Sequence, residues 1–112
     1  MEKREYELIL CIVNEGFSET VMDAVREVGA RGGTVIRARG TANRGAEQFF
    51  KITIHPEKEI VMILVKSDIK DAVMHAVYKS AGLNTAGQGI AFALPVDDVV
   101  GIEKQFKDSD KN

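Results

Sequence analysis

Two stretches of the chain are apolar without a break, and both predict buried strands. Residues 8–13 read Leu-Ile-Leu-Cys-Ile-Val, and residues 60–65 read Ile-Val-Met-Ile-Leu-Val. A strand with one wet face alternates between apolar and polar residues, whereas a strand covered on both faces stays apolar. The pattern therefore predicts strands over residues 6–13 and 60–65, each covered on both of its faces.

Two other segments carry apolar residues at helical spacing, so that each presents one apolar stripe. The first stripe is formed by Val21, Ala24, Val25 and Val28. The second is formed by Ile69, Ala72, Val73, Ala76 and Val77. Ser18 and Ser67 precede the two stripes, and we expect each serine to cap its helix. Gly29 and Gly82 follow the stripes and are expected to end the helices.

Three further segments complete the predicted elements. Residues 34–38 begin with β-branched side chains, residues 50–55 alternate apolar and polar side chains up to Pro56, and residues 90–96 are again apolar. With residues 50–55 and 60–65 taken together as the third strand position, the order is β-α-β-β-α-β, that of the α+β, ferredoxin-like sandwich, an antiparallel sheet with two helices on one face. Because the apolar strands leave the second face of that sheet uncovered, we expect a further subunit to cover it.

The length of 112 residues predicts one domain over residues 1–112, with a core over 5–102 and a polar tail over 103–112. The net charge of −2 argues against a nucleic-acid binder that works through bulk charge. No apolar run approaches the roughly 18 residues of a membrane span, and no signal-peptide cleavage pattern follows the N-terminus. We therefore expect a cytoplasmic protein that neither binds nucleic acid nor inserts into a membrane.

Residues suited to catalysis are scarce in this sequence. The single cysteine, Cys11, lies inside an apolar run, where a thiol is usually a small core residue. Ser18 and Ser67 are already interpreted as helix caps, and no nucleophile stands in a pattern with a base. The sequence therefore predicts a protein that is not an enzyme, although many enzymes use the ferredoxin-like fold and the fold alone does not decide function.

An unusual distribution of charge marks the region after the first helix. Residues 29–46 contain no aspartate or glutamate but four arginines, Arg31, Arg37, Arg39 and Arg44. Arg37 and Arg39 are two residues apart on a predicted strand and so project from the same face. Because a guanidinium group binds phosphate or carboxylate through forked donors, we interpret these two residues as anion contacts. A solvated surface or a subunit contact explains the same pattern equally well.

A glycine-rich segment, Gly87-Gln88-Gly89, precedes the last predicted strand. Two glycines one residue apart let successive backbone N–H groups turn toward an anion. The segment is not a dinucleotide-binding fingerprint, because a third glycine is missing and a strand rather than a helix follows. It predicts an anion-binding turn, and glycines that merely reverse the chain are the alternative.

Four short motifs follow one another along the chain. They are residues 27–29 (Glu-Val-Gly), residues 32–35 (Gly-Gly-Thr-Val), residues 44–47 (Arg-Gly-Ala-Glu) and residues 87–89 (Gly-Gln-Gly). Together they resemble the PII family of nitrogen-regulatory signalling proteins, over about residues 5–102. The resemblance implies a ferredoxin-like homotrimer with nucleotide in the clefts between subunits. Family members sense ATP, ADP and often 2-oxoglutarate, and they regulate transporters, enzymes or transcription factors through a long loop.

The resemblance also implies which residues form the functional sites. The effector- or nucleotide-binding residues are Ile12, Thr34, Val35, Leu64, Gly87, Gln88 and Gly89. The loop that binds the regulated partner, a transporter or an enzyme, contains Gly40, Thr41, Asn43 and Arg44. This loop is much shorter than in the family, so we expect it to use a different docking surface. Gln48 replaces the tyrosine that is uridylylated in many bacterial members, so that modification is not expected.

Three positions that bind phosphate through cations in the family carry other residues in this chain, namely Ile90, Gly101 and Glu103. Each charge-assisted hydrogen bond is worth roughly 1.5–3 kcal/mol, so the exchange removes much of the expected affinity for ATP. We expect a less charged ligand, such as ADP, AMP or another small anion, with Arg37 and Arg39 as substitute charges. The alternative is a cleft that binds no nucleotide.

A second class of function shares the same architecture. Trimeric ferredoxin-like proteins of the divalent-cation-tolerance type are metal or ion modules, and His55, Glu57 and Glu59 are the ligands that this alternative requires. Scattered polar residues at the end of a hairpin explain the same three side chains. The sequence also lacks the tight spacing of histidine and cysteine that marks many metal sites.

Overall fold

The structure, a computed structural model, describes residues 4–41, 56–83 and 89–102. Its elements are β1 (Tyr6–Asn14), α1 (Ser18–Arg26), β2 (Thr34–Arg39), β3 (Glu57–Lys66), a 3-10 turn (Ser67–Ile69), α2 (Lys70–Ser80) and β4 (Gly89–Val96). The elements of these described residues follow the predicted order β-α-β-β-α-β. The strand predicted over residues 50–55 falls between the described segments.

The strands form one sheet in the order β2-β3-β1-β4, and each pair of neighbours is antiparallel. In this register, Ile9 of β1 lies opposite Ile63 of β3 and Ala93 of β4. Both helices pack on the same face of the sheet, α1 against β3 and α2 against β1 and β4. The predicted ferredoxin-like α+β fold is therefore confirmed.

The core lies between the two helices and the face of the sheet that they cover. The central strands contribute side chains from alternate positions, fully buried at Ile9, Cys11, Val13, Val61 and Ile63. The helices contribute four more fully buried side chains, Val21, Val25, Val73 and Val77. These four belong to the stripes predicted from helical spacing, since residues three or four apart share one face of a helix.

The helix starts differ from the serine caps predicted above. Phe17 occupies the N-cap position of α1 and makes no side-chain capping bond, while the N–H of Ser18 donates to the carboxylate of Glu59 at 3.2 Å. Ser67 begins the 3-10 turn, and its hydroxyl donates to the carbonyl oxygen of Arg4 at 2.8 Å. Both cap predictions are wrong, because groups distant in the sequence provide the hydrogen-bond partners of the two serines.

The buried thiol of Cys11 makes the stability of the fold depend on pH in the alkaline range. Its side chain is fully buried, and the loss of solvation raises the pKa of the thiol from 9.0 to about 11. Between these two values the unfolded chain loses the thiol proton while the folded protein keeps it. The free energy of unfolding therefore falls as the pH rises through this interval.

Urea denaturation of the wild type and of Cys11→Ala, at pH about 8 and at pH about 10.5, tests this expectation. The alanine variant lacks the thiol, so subtracting its behaviour removes the contribution of every other titrating group. We expect the wild type to lose about 2 kcal/mol more than the variant over this interval. Equal losses in the two proteins would show that the Cys11 thiol contributes nothing.

Candidate functional site

The face of the sheet opposite the helices carries a continuous set of apolar side chains, which we call the open face. Its members are Leu8, Leu10, Ile12, Ile36, Ile60, Met62, Leu64, Ile90, Phe92 and Leu94. In the single chain all of them stay partly exposed, up to 58% for Ile90. Monomeric proteins rarely expose so extended an apolar patch, so this surface has the character of an interface.

Two of the predicted effector-binding side chains lie at opposite ends of the open face. Ile12 lies opposite Ile60 on β3. Leu64, four residues further along β3, lies opposite Leu8, and this spacing amounts to about 13 Å along a strand. Thr34 of β2 occupies a position between the two ends. One chain therefore does not bring Ile12 and Leu64 into a common pocket.

The Ile12 end of the open face is where the glycine-rich segment joins the sheet. Gly89 begins β4 opposite Val13 and has a φ of +144°. A Cβ added there would lie 2.4 Å from the carbonyl oxygen of Ile12, so only glycine fits at this position. The other members of the predicted anion-binding turn, Gly87 and Gln88, are outside the described residues.

A cavity of about 450 Å³ lies at the Leu64 end, between the end of β3 and the loop from α1 to β2. Its lining residues include Tyr6, Arg31, Gly32, Leu64 and Lys66. Cavities of this size with apolar walls and a few polar groups are typical sites for small ligands. Arg31 and Lys66 bring positive charge to the lining and Asp68 brings negative charge, so the cavity offers polar contacts of both signs beside its apolar walls.

Arg37 and Arg39 lie on the face of the sheet opposite the open face. Alternation along β2 places them on the helix side together with Val35, which pairs with a buried position of β3. Arg37 forms an ion pair with Glu15, and Nη1 of Arg39 lies 3.7 Å from the carboxylate of Glu57. The structure does not bring these three residues of β2 to the open face, and their role in binding an effector stays a prediction.

Lys58 is a cation of the site that the sequence reasoning misses. It projects from β3 on the open-face side, two residues from Ile60, and its ammonium group donates to Oδ1 of the buried Asn14 at 2.6 Å. This arrangement places a positive charge near the end of the open face where Gly89 joins β4. The signal that reveals it is the register, since β3 begins at Glu57 rather than at residue 60.

The carboxylates required by the metal-site alternative are engaged in other contacts. Glu59 accepts hydrogen bonds from the backbone N–H groups of Gly16 and Ser18, both at 3.2 Å, and Glu57 lies beside a guanidinium group. His55 is not among the described residues. Within residues 4–41, 56–83 and 89–102, no group of three metal-ligating side chains is placed to hold an ion, so nothing supports this alternative.

The predicted partner-binding loop has a defined base. The N–H of Gly40 donates to the carbonyl oxygen of Pro56 at 2.7 Å, which closes the stem between β2 and β3. Thr41 follows the stem and is exposed. Asn43 and Arg44, the other residues predicted for this loop, fall in the part of the chain that the structure does not describe.

The backbone conformation of Gly101 decides whether a substitution there could restore one of the family's phosphate-binding cations. Gly101 has a φ of +100°, in the left-handed region that side chains rarely adopt. An arginine introduced there would be strained, so replacing this glycine alone does not restore a family-like cation. Ile90, by contrast, stands at an exposed and regular position of β4, and Glu103 is beyond the described residues.

Residues 6–105 match the family model described as Nitrogen regulatory protein P-II. The chain belongs to this PII family. A curated relative with the same description, from Azospirillum brasilense, is 30% identical over 100 residues, which cover 82% of this chain and 87% of the relative. The crystal structure of Arabidopsis thaliana PII bound to citrate aligns with a TM-score of 0.70 and 26% identity, over 89% of this chain and 82% of the plant chain.

The resemblance to the PII family that the motifs predict is therefore confirmed. Membership makes this chain a PII-like regulatory protein, in a family of trimeric signalling regulators rather than enzymes. In the described part of this PII protein, neither helix is long and apolar enough to cross a membrane.

Proposed function

We propose that this PII protein assembles as a homotrimer in the cytoplasm, binds a small effector in the clefts between its subunits and regulates a partner enzyme or transporter. Family membership supports the regulatory role and its link to nitrogen status. The apolar open face supports the assembly, because it needs a cover that a single chain does not provide. The effector that we propose is an adenine nucleotide, with ADP or AMP ahead of ATP.

The observation that carries the proposal is the division of the candidate residues between the two ends of the open face. Ile12 and Gly89 lie at one end and Leu64 at the other, about 13 Å away along the strand. A ligand touching both ends of one chain would have to cross the surface that contacts between subunits occupy. Neighbouring subunits that meet through their open faces bring the Ile12 end of one chain toward the Leu64 end of the next.

The charges near the proposed cleft favour a ligand with fewer phosphate groups than ATP. Ile90 is exposed where the family carries a phosphate-binding cation, and Gly101 provides no side chain. Lys58 contributes one positive charge at the Gly89 end, and an ammonium group binds phosphate as a point charge. The Arabidopsis protein was crystallised with citrate, which supports testing compact polycarboxylates beside the nucleotides.

The proposed partner surface includes the stem of the β2–β3 connection, where Gly40 and Thr41 follow β2. In the family this connection docks to the regulated protein. Its reduced length in this chain supports a docking surface different from that of the longer loops. The same stem lies next to β3, which carries Lys58 toward the effector-binding end of the open face.

Thermal-shift titration with ADP, AMP, ATP, 2-oxoglutarate and citrate tests the effector. A ligand at about 100 times its Kd stabilises the folded state by about 2.7 kcal/mol per site, which raises the Tm by several degrees. We expect ADP or AMP to raise the Tm at lower concentrations than ATP does. An unchanged Tm with all three adenine nucleotides would contradict the proposed effector, while a response to citrate alone would replace it.

Thr34→Val is the matched variant for this titration. It removes the hydroxyl group from an exposed position of β2 and leaves a side chain of similar shape. We expect its Tm without ligand to match that of the wild type and its affinity for ADP to fall about tenfold, the effect of one lost hydrogen bond. Equal ADP affinities of the two proteins would remove Thr34 from the proposed site.

A further inference from the structure

The turn between β1 and α1 is held by a carboxylate group of another element. Glu59 of β3 accepts hydrogen bonds from the backbone N–H groups of Gly16 and Ser18, at 3.2 Å each. Phe17, at the N-cap position of α1, makes no side-chain capping bond. Glu59 therefore acts in place of an N-cap side chain, and its charge is favourable beside the positive end of the α1 dipole.

An ion pair with the neighbouring strand strengthens this attachment. Arg37 of β2 lies opposite Glu59 in the sheet register and pairs with Glu15 of the turn. The N–H of Glu15 also donates to the carbonyl oxygen of Glu57 at 3.2 Å. The turn is thus hydrogen-bonded to the beginning of β3 through the N–H groups of Glu15, Gly16 and Ser18. The beginning of β3 is itself continuous with the stem of the partner-binding loop.

The same turn directly follows the residues that pack against the glycine-rich segment. A Cβ at Gly89 would lie 2.4 Å from the carbonyl oxygen of Ile12 and 3.2 Å from Cα of Val13. The backbone of Gly89 is therefore in close contact with the end of β1. Any displacement of the end of β1 therefore moves the point at which the glycine-rich segment joins the sheet. The contacts of the turn determine whether this end of β1 stays in place.

We infer that Glu59 is a positioning residue, which clamps the β1–α1 turn to the start of β3 and thereby holds Ile12 against Gly89. Glu59 lies on the helix-covered side of the sheet and does not reach the open face, so it acts on the effector through the backbone. The clamp consists of the hydrogen bonds from Gly16 and Ser18 to Glu59, and it does not depend on the identity of the effector. Its effect on effector affinity rests on the proposed function.

Hydrogen exchange of the ligand-free protein, followed by mass spectrometry, tests the clamp. We expect Glu59→Ala to speed exchange of residues 15–20 by about tenfold or more. Glu59→Gln should speed it by about threefold, because the amide oxygen still accepts hydrogen bonds but carries no charge. Asp71→Asn is the matched control, because it removes an exposed carboxylate from the first turn of α2 instead of α1, and it should leave exchange of residues 15–20 unchanged. Residues 8–11 should exchange alike in all four proteins.

Calorimetric titration of the same four proteins with ADP tests the positioning role. We expect the Kd to rise about tenfold in Glu59→Ala, to return to within about threefold of the wild-type value in Glu59→Gln and to stay the same in Asp71→Asn. Loss of affinity in the alanine variant together with its recovery in the glutamine variant distinguishes positioning from general destabilisation.

The two measurements separate the possible failures. Exchange of residues 15–20 at the wild-type rate in Glu59→Ala would overturn the clamp. If the alanine variant does not fold, wild-type exchange of these residues in Glu59→Gln would overturn it instead. Faster exchange with an unchanged Kd would overturn the positioning role. If the wild type binds none of ADP, AMP and ATP, the proposed effector is wrong, and the exchange result alone still supports or overturns the clamp.

Discussion

Replacement of Phe92 by aspartate is expected to convert the proposed trimer into folded monomers. Phe92 lies on the open face, opposite Leu10 of β1, and is 38% exposed in the single chain. Contact between open faces would bury this position, and a carboxylate buried without a partner costs several kcal/mol. A cyclic trimer repeats that cost in every subunit, so this substitution has the largest effect on assembly that we expect.

Size-exclusion chromatography with light scattering measures this effect. We expect the wild type to have three times the chain mass of 12.3 kDa and Phe92→Asp to have the chain mass itself. Tyr78→Asp is the matched control, because Tyr78 is an exposed aromatic residue of α2 on the other side of the molecule, and this variant should remain trimeric. A trimeric Phe92→Asp would exclude the open face as the interface, and a monomeric wild type would contradict the proposed assembly.

Substitution of Gly89 by alanine is expected to lower the free energy of unfolding by about 3 kcal/mol or more. Two costs combine at this position. The φ of +144° lies in a region that L-residues rarely adopt, and the added Cβ would lie 2.4 Å from the carbonyl oxygen of Ile12. Because the obstructing atom belongs to the backbone of β1, the sheet must shift to accommodate the methyl group.

Two matched variants separate these costs in urea denaturation. Gly16→Ala meets only the unfavourable φ of +98°, since no atom lies within 4 Å of its added Cβ, and should cost about 1 kcal/mol. Gly32→Ala meets neither obstacle and should stay within about 0.5 kcal/mol of the wild type. If Gly89→Ala were no less stable than Gly16→Ala, the close contact between Gly89 and Ile12 would be contradicted.

Most of the fold was predictable, because the spacing of apolar residues along the chain indicates which side chains are buried. The uninterrupted apolar runs gave both central strands, and the helical stripes gave Val25 and Val77 as core residues. The boundaries were less predictable. Glu57, Lys58 and Glu59 belong to β3 although they are charged, since the backbone hydrogen bonds with β2 extend the strand beyond its apolar part.

The candidate site was predictable only in its parts. The glycine-rich segment and Thr34 follow from the motifs, and Gly89 proves to be at a position where only glycine fits. Lys58 and Glu59 were missed because their contacts depend on the register between strands, with Lys58 toward the open face and Glu59 toward α1. A shift of the register by one residue would exchange the two faces.

The sequence by itself determined the family, the order of the elements and the presence of an apolar sheet face that needs a cover. These properties are local or periodic, so they can be read along the chain. The tertiary structure decided that Arg37 pairs with Glu15 away from the open face, that Glu59 caps α1, and that Ile12 and Leu64 lie at separate ends of one surface. These are contacts between residues distant in the sequence, and they are fixed only when strand register and helix packing are set together.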